Sequence, residues 1–250
     1  MLASLLRLDN FVIELVTLDL DDTLWDAGPV LLRAEEIQYA WIIQHAPRIA
    51  ARYSMLELQA YRRTLAQAEP ALRHDFTALR LAALSHLLAE FHYDAGLASA
   101  GVATFLRARS EVTLFPEVDA VLRALARSYR LVALTNGNTD LVQAGVAQYF
   151  EFCLAPADTG TSKPDPRMFE AVQQRAGIAA TAMIHVGDEP YYDIEGAHRA
   201  QIRAVWVNRH GREWPATYRP AHAEIPDLRH LGAAIQAIDR AAKPVGRHPP

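Results

Sequence analysis

Apolar residues recur along the chain with two different periods, and the change of period divides it. Residues 15–20, LVTLDL, form a short apolar run that turns acidic, the pattern of a buried strand. From residue 28 to residue 112 the spacing becomes three to four. PVLLRAEEIQYAWIIQHA (29–46) starts on Pro29, which suits the first turn of a helix. SMLELQAYRRTLAQAE (54–69) opens on Ser54 with Glu57 three residues later, a capping-box pattern. DFTALRLAALSHLLAEF (75–91) and LASAGVATFLRAR (97–109) also read as helices, and no strand is expected in this block.

From Phe115 onward helices and strands alternate. EVDAVLRALARS predicts a helix, RLVALTN a strand, LVQAGVAQYF a helix and FCLA a short strand. DPRMFEAVQQRAG predicts a helix that stops on Gly177. AMIHVGD is expected as a strand, IEGAHRAQ as a helix, RAVWVN as a strand, and EIPDLRHLGAAIQAIDRA as a short edge followed by a helix. The tail KPVGRHPP is expected to fray. This alternation predicts an α/β fold, a Rossmann-like parallel sheet with helices on both faces. The helical block interrupts the sheet after its first strand. The expected organisation is therefore a core of residues 1–27 and 113–250 with an inserted helical cap at 28–112.

Composition narrows the class without naming a function. About half of the 250 residues are apolar (51%) and 22% are charged, ordinary for a globular protein with a full core. The net charge of −4 is small and basic residues are dispersed, so no nucleic-acid footprint is expected. No charge-free apolar window reaches the ~20 residues a membrane span needs. MLASLLRLDN (1–10) is too short and interrupted for a signal peptide. The single cysteine, Cys153, excludes an internal disulfide and is expected as a buried structural thiol. These features together predict a soluble, cytoplasmic protein; nothing in them specifies an oligomeric state.

The chemistry gathers where strands are expected to end. Asp19, Asp21 and Asp22 follow the first strand. Like charges about 4 Å apart repel by about 4 kcal/mol at an effective dielectric near 20, so the cluster needs a cation. In an extended segment Asp19 and Asp21 face the same way and Asp22 another. Taken alone, this run also reads as a turn or a helix cap. Thr135–Asn136 before Gly137 alone reads as a turn, Lys163 as a solvated loop charge, and Asp188 as a cap. Taken together, acids end the first strand, a hydroxyl and amide the second, a lysine comes next before a helix, and acids end the last. In an open parallel sheet such ends border one crevice. The histidines show no metal-ligand spacing.

DLDDT, TN, the lysine of SKPDP and GDEPYYD together resemble the four motifs of the haloacid dehalogenase superfamily, in particular its phosphatases with a helical cap. DDTLWD, AEPALRHDFTALR, LTNGN, YFEF and SKPD resemble, more narrowly, bacterial phosphatases of FMN and of the phosphoribityl-pyrimidine precursor of riboflavin. The resemblance implies a phosphomonoesterase with Asp19 as nucleophile, forming an aspartyl phosphate, and Asp21 as general acid and base. It implies Mg²⁺ held by Asp19, Asp188 and the Asp21 carbonyl, with Asp193 as a supporting acid that orients the metal shell or Lys163. Lys163, Thr135 and the Asn136 N–H would hold the phosphate, Lys163 would steady the transferring group, and Thr23 would order the loop. The substrate implied is a small phosphate ester. A broad nucleotide or sugar-phosphate phosphatase, a phosphomutase and a non-catalytic binding protein remain the alternatives. Trp25, Arg33, Tyr39, His74, Asp75 and Arg80 are candidate substrate readers, each of which also suits a packed or solvated helix face or a helix cap.

Overall fold

A computed structural model describes residues 13–242, so the expectations for residues 1–10 and for the tail 243–250 lie outside the described residues. Six strands form the parallel sheet that the alternating pattern predicts. They are β1 (Leu15–Leu18), β2 (Arg130–Leu134), β3 (Phe152–Leu154), β4 (Met183–Gly187), β5 (Arg203–Val207) and β6 (Ala223–Ile225), in the order β3-β2-β1-β4-β5-β6. β1 is central, and Leu18 pairs with Ala133 on one side and Val186 on the other.

The period of two within each strand sorts its side chains between two helical layers. Val16, Leu18, Ile184 and Val186 pack with Val118 and Leu122 of α6 (Val118–Leu125) and with Leu231 and Ile235 of α10 (Leu231–Ala242). Leu15, Val132, Leu134 and Met183 pack on the other face with Met168, Phe169 and Val172 of α8 (Pro166–Ala176), which follows the single turn α7 (Pro156–Thr159). Fully burying such side chains contributes about 1.5–3 kcal/mol each. By the same parity Thr17 and Asp19 belong to the face of Leu15, and His185 to that of Met183. Functional groups at these positions therefore look toward α8.

The helical block comprises α1 (Ala27–His45), α2 (Pro47–Arg52), α3 (Met55–Ala68), α4 (Phe76–Glu90) and α5 (Leu97–Ser110). It has an apolar cluster of its own, built on Ile42, Ile49, Leu58, Leu84, Leu88 and Val102. The Ser54–Glu57 capping box forms at the start of α3. α2 was not anticipated; Pro47 starts it directly after α1, where a proline N–H is not needed. α1 and α5 pack closely at Gly101, where a Cβ would lie 2.7 Å from both Leu84 and Trp41. Only glycine leaves room for that approach.

Two expected elements take another form. LVQAGVAQYF is not a helix but turns followed by a 3₁₀ turn at Ala147–Tyr149. Gly145 adopts φ +74°, which ends the coil before a second turn can form. The helix expected from Ile194 begins earlier, as a wide π turn at Pro190–Glu195, and runs into α9 (Gly196–Arg199). Among the described residues no helix is long and apolar enough to cross a membrane.

Candidate active site

The strand order brings the ends of β2, β1 and β4 side by side, and the loops beyond them line a crevice of about 200 Å³. Asp19, Asp21, Thr135, Asn136, Lys163, Asp188 and Asp193, expected from the sequence, all border it. Glu189 and Tyr192, which sequence reasoning did not single out, border it as well. Thr23 does not. Its hydroxyl is buried without a hydrogen-bond partner among the described residues, and Arg209 instead bonds its carbonyl at 2.9 Å. Asp22 accepts the Ala27 N–H at 2.9 Å and so ties the loop to α1.

Lys163 is the electrostatic centre. Its Nζ donates to Asp19 Oδ1 at 2.5 Å and to Asp193 Oδ1 at 2.6 Å. Burial alone would lower its pKa; the two carboxylates overcome that and raise it, so the ammonium stays charged. Burial would conversely raise Asp193, but Lys163 and His185 hold it well below the usual carboxylate range. The Lys163 main chain is fixed by Asn136, whose Oδ1 accepts the Lys163 N–H at 2.8 Å and whose Nδ2 donates to the Lys163 carbonyl at 3.0 Å. Thr135 Oγ1 accepts from the Gly137 N–H at 2.9 Å. Its hydroxyl proton is thereby left for another acceptor.

Gly187 allows Asp193 to reach this position. A Cβ on Gly187 would lie 2.3 Å from Asp193 Cγ, inside contact distance, so only glycine admits the carboxylate there. Asp193 Oδ2 also accepts the Glu189 N–H at 2.9 Å.

The donor set suits a hard cation. Asp19, Asp188 and Asp193 each offer a carboxylate oxygen, and these atoms lie within 4.8 Å of one another. Lys163, with Arg212 3.4 Å from Asp188 Oδ2, still leaves the three acids with surplus negative charge. Burial, reinforced by Asp193 and Asp19, raises the Asp188 carboxyl to about 8. Burial, opposed by Lys163 and reinforced by Asp193, raises Asp19 to about 7. Crowded oxygen donors with surplus negative charge fit a small divalent ion that prefers oxygen. Asp193 already accepts from Lys163, His185 and the Glu189 N–H, which leaves Asp19 and Asp188 as the freer ligands.

Asp21 stands apart from this set. Its Oδ1 accepts from Trp25 Nε1 at 2.9 Å and its Oδ2 from Arg109 Nη2. Arg109, which the sequence did not flag, is 1% exposed and comes from the last turn of α5. Trp25 is buried and holds this acid, so the structure gives it no exposed face for reading a substrate. The other candidate readers mostly serve the helical block. Arg33 bonds the Ala108 carbonyl at 3.1 Å, Tyr39 the Tyr53 carbonyl at 3.0 Å, and Asp75 caps α4. Arg80 pairs with Glu35 at 2.7 Å over the Phe105 ring. His74 crosses to the sheet side, 2.9 Å from Ser162 Oγ beside Lys163, and Arg80 also lines a cavity that reaches Asp21, Asn136 and Gly137. Cys153 is half-buried, and burial pushes its thiol up to about 11. It is an unreactive thiol.

The haloacid dehalogenase-like hydrolase model matches residues 13–201, and the chain belongs to that family. It is a hydrolase with phosphatases among its relatives. It is 31% identical over 231 residues to the 5-amino-6-(5-phospho-D-ribitylamino)uracil phosphatase YigB of Escherichia coli, covering 89% of this chain and 96% of the relative. A phosphoserine phosphatase of Thermus thermophilus is 40% identical over 132 residues, half of each chain. Among solved structures, a 2-haloacid dehalogenase from Pseudomonas syringae superimposes with a TM-score of 0.86 at 39% identity, covering 90% of this chain and 99% of that one.

Proposed function

We propose that this chain is a Mg²⁺-dependent phosphomonoesterase acting through an aspartyl phosphate on Asp19. The observation that carries the proposal is the division between Asp19 and Asp21. One carboxylate lies against a buried lysine; the other, two residues on, is held separately at the same crevice. Asp19 Oδ1 accepts from Lys163, which leaves Oδ2 to attack phosphorus. The bond from phosphorus to the leaving oxygen breaks, and Asp21 supplies the proton that oxygen needs. A water then attacks the phosphorus of the aspartyl phosphate and gives a proton back to Asp21. The bond to Asp19 breaks, and inorganic phosphate leaves. Lys163, Thr135 and the Asn136 N–H hold the phosphate oxygens, a service of position and charge rather than of covalent chemistry. Mg²⁺, when bound by Asp19, Asp188 and the Asp21 carbonyl, offsets the charge of the carboxylates and the phosphate. Asp193 orients Lys163.

The Pseudomonas syringae structure favours a second reading, a dehalogenase on the same fold. Halide leaves without a proton, so a haloacid reaction gives Asp21 no leaving group to protonate and needs no cation for the surplus acids. The ester reading uses both.

The likeness to the Escherichia coli phosphatase over 89% of this chain, with the motifs quoted above, supports the phosphoribityl-pyrimidine precursor of riboflavin, or FMN, as substrate. A broad nucleotide or sugar-phosphate phosphatase and a phosphomutase are the alternatives. Residues 28–112 serve as a cap that shields the crevice and selects the leaving group. A cytoplasmic site of action agrees with the lone unreactive thiol.

The test is phosphate release from FMN, the phosphoribityl pyrimidine, nucleoside monophosphates and sugar phosphates, with and without Mg²⁺, alongside halide release from 2-haloacids. Asp19→Asn is the control. Metal-dependent phosphate release that Asp19→Asn abolishes supports the chemistry, and a preference for the ribityl esters supports the substrate. Halide release without phosphate release overturns it, and a phosphorylated isomer as product points to the mutase.

A further inference from the structure

His185 lies in the middle of β4 with no exposed surface. Its Nε2 is 3.1 Å from Asp193 Oδ1, the oxygen that also accepts from Lys163. Its Nδ1 is 2.8 Å from Thr17 Oγ1. Thr17 stands on β1 two residues before Asp19 and on the same face. The hydrogen bonds therefore form a closed circuit. It leaves β1 at Thr17, passes through His185, Asp193 and Lys163, and returns at Asp19, the residue that follows β1. The edge-to-face contact with Phe169, centroids 5.0 Å apart at 88°, fixes the plane of the imidazole.

The circuit selects one tautomer. A bare Nε2 would set its lone pair against the Asp193 carboxylate, so the proton belongs on Nε2. Nδ1 then accepts from the Thr17 hydroxyl at 2.8 Å, a shorter contact than the one that Oγ1 makes with the Ile184 carbonyl at 3.3 Å. The imidazole thus acts as a neutral donor to Asp193 and adds no charge to a site where Lys163 already stands between two carboxylates.

We propose that His185 is a positioning residue for the nucleophile. It fixes the Asp193 oxygen that aims Lys163 at Asp19. The inference rests on the phosphatase reading for its kinetic test but not for its spectroscopic one. Without the imidazole, Asp193 Oδ1 keeps only Lys163 as a side-chain donor, and the carboxylate, still held at Oδ2 by the Glu189 N–H, can pivot about that bond. The ammonium then follows Asp193 instead of staying fixed against Asp19. The effect falls mainly on the chemical step, because Thr135 and the Asn136 N–H, which hold the phosphate beside Lys163, come from another loop.

The experiment compares His185→Leu and His185→Gln with the parent enzyme, using p-nitrophenyl phosphate and Mg²⁺, with thermal unfolding measured on each. Leucine fills the space without donating; glutamine retains an N–H donor of similar reach. The expected result is a kcat about 10–100-fold lower for His185→Leu, the range typical of orienting partners at metal sites. KM should change little, and His185→Gln should recover most of kcat. A role confined to the core predicts lost stability in both variants with kcat per folded molecule unchanged, and that result overturns the proposal. ¹⁵N-resolved imidazole spectra of the unmodified protein test it without turnover or substitution. A neutral ring protonated on Nε2 supports it, and a proton on Nδ1 with bare Nε2 overturns it. If the unmodified protein releases no phosphate, the phosphatase reading fails and the tautomer alone decides this one.

Discussion

Arg109 and Asp21 stand 88 residues apart in the chain and form an ion pair whose arginine is buried and whose acid is partly exposed at the crevice. The arginine ends the helical block and the acid follows the first strand. The pair therefore joins the proposed lid directly to the proposed general acid. Trp25 holds the second Asp21 oxygen, so the carboxylate has a set direction. Replacing Arg109 with Met frees it to rotate. Misplacing a catalytic group by about 1 Å costs up to about 10²-fold, and a kcat reduced to that extent on alkyl phosphates is expected. Steady-state kinetics on protein shown to be folded provide the check; an unchanged kcat would remove Arg109 from the mechanism.

Asp21→Asn separates the two half-reactions. An alkyl ester needs a proton at its leaving oxygen, so its hydrolysis should fall by about 10²–10⁴-fold. p-Nitrophenolate leaves unaided, and the first step should survive. Water attack would then lack its base. Rapid mixing should show a burst approaching one p-nitrophenolate per site, with Asp19 left phosphorylated. Full steady turnover with no burst would show that Asp21 is not the base.

Asp188 gives a dependence on pH in metal-free protein. Its carboxyl is raised to about 8, chiefly by burial, against about 3.9 in an unfolded chain. A raised acid contributes stability that is fully present below its unfolded value and is lost as pH rises through its folded one. With a chelator present, this group should lower Tm progressively between about pH 4 and pH 8. Asp188→Asn keeps the shape without the charge and should raise Tm at about pH 8. Each kcal/mol recovered is worth about 2–4 °C in a chain of this size. Mg²⁺ should raise Tm in the parent protein and much less in the variant. Equal chelated Tm values at pH 8 would refute the assignment.

Glu35 serves the helical block rather than the crevice. It accepts from Arg62 at 2.6 Å and from Arg80 at 2.7 Å, and Arg80 is only 9% exposed over the Phe105 ring. Removing one partner of a buried pair costs about 3–5 kcal/mol, so Glu35→Gln should unfold several degrees earlier. Burial would raise the Glu35 carboxyl, but Arg80 and Arg62 overcome it and hold the group low. A lowered acid contributes stability above its unfolded value and loses it as pH falls through the folded one. The gap in Tm between parent and variant should therefore narrow in acid, as calorimetry across pH would show.

Local periodicity was enough to expect the sheet, the helical block and the strand ends, because each is encoded within one short segment. β1 announces itself as an apolar run that turns acidic, and α3 by its Ser54–Glu57 box. The same local logic misread LVQAGVAQYF, whose apolar spacing suits a helix while Gly145 turns the backbone left-handed. It also started the helix beyond β4 too late, since the wide turn at Pro190 has no helical periodicity to display.

By itself the sequence determined which chemical groups lie beyond the strands that border the crevice: Asp19 and Asp21, Thr135 and Asn136, Lys163, Asp188 and Asp193. Tertiary structure decided what those groups do to one another. His185 reads as one more core residue in an apolar strand, and Arg109 as a basic side chain in a last helical turn. Their roles exist only through partners from other segments: Thr17 and Asp193 for the histidine, Asp21 for the arginine. The physical reason is range. Hydrophobic period and turn chemistry act over a few residues, whereas a buried hydrogen bond or ion pair needs groups brought within about 3 Å by the packing of the whole chain.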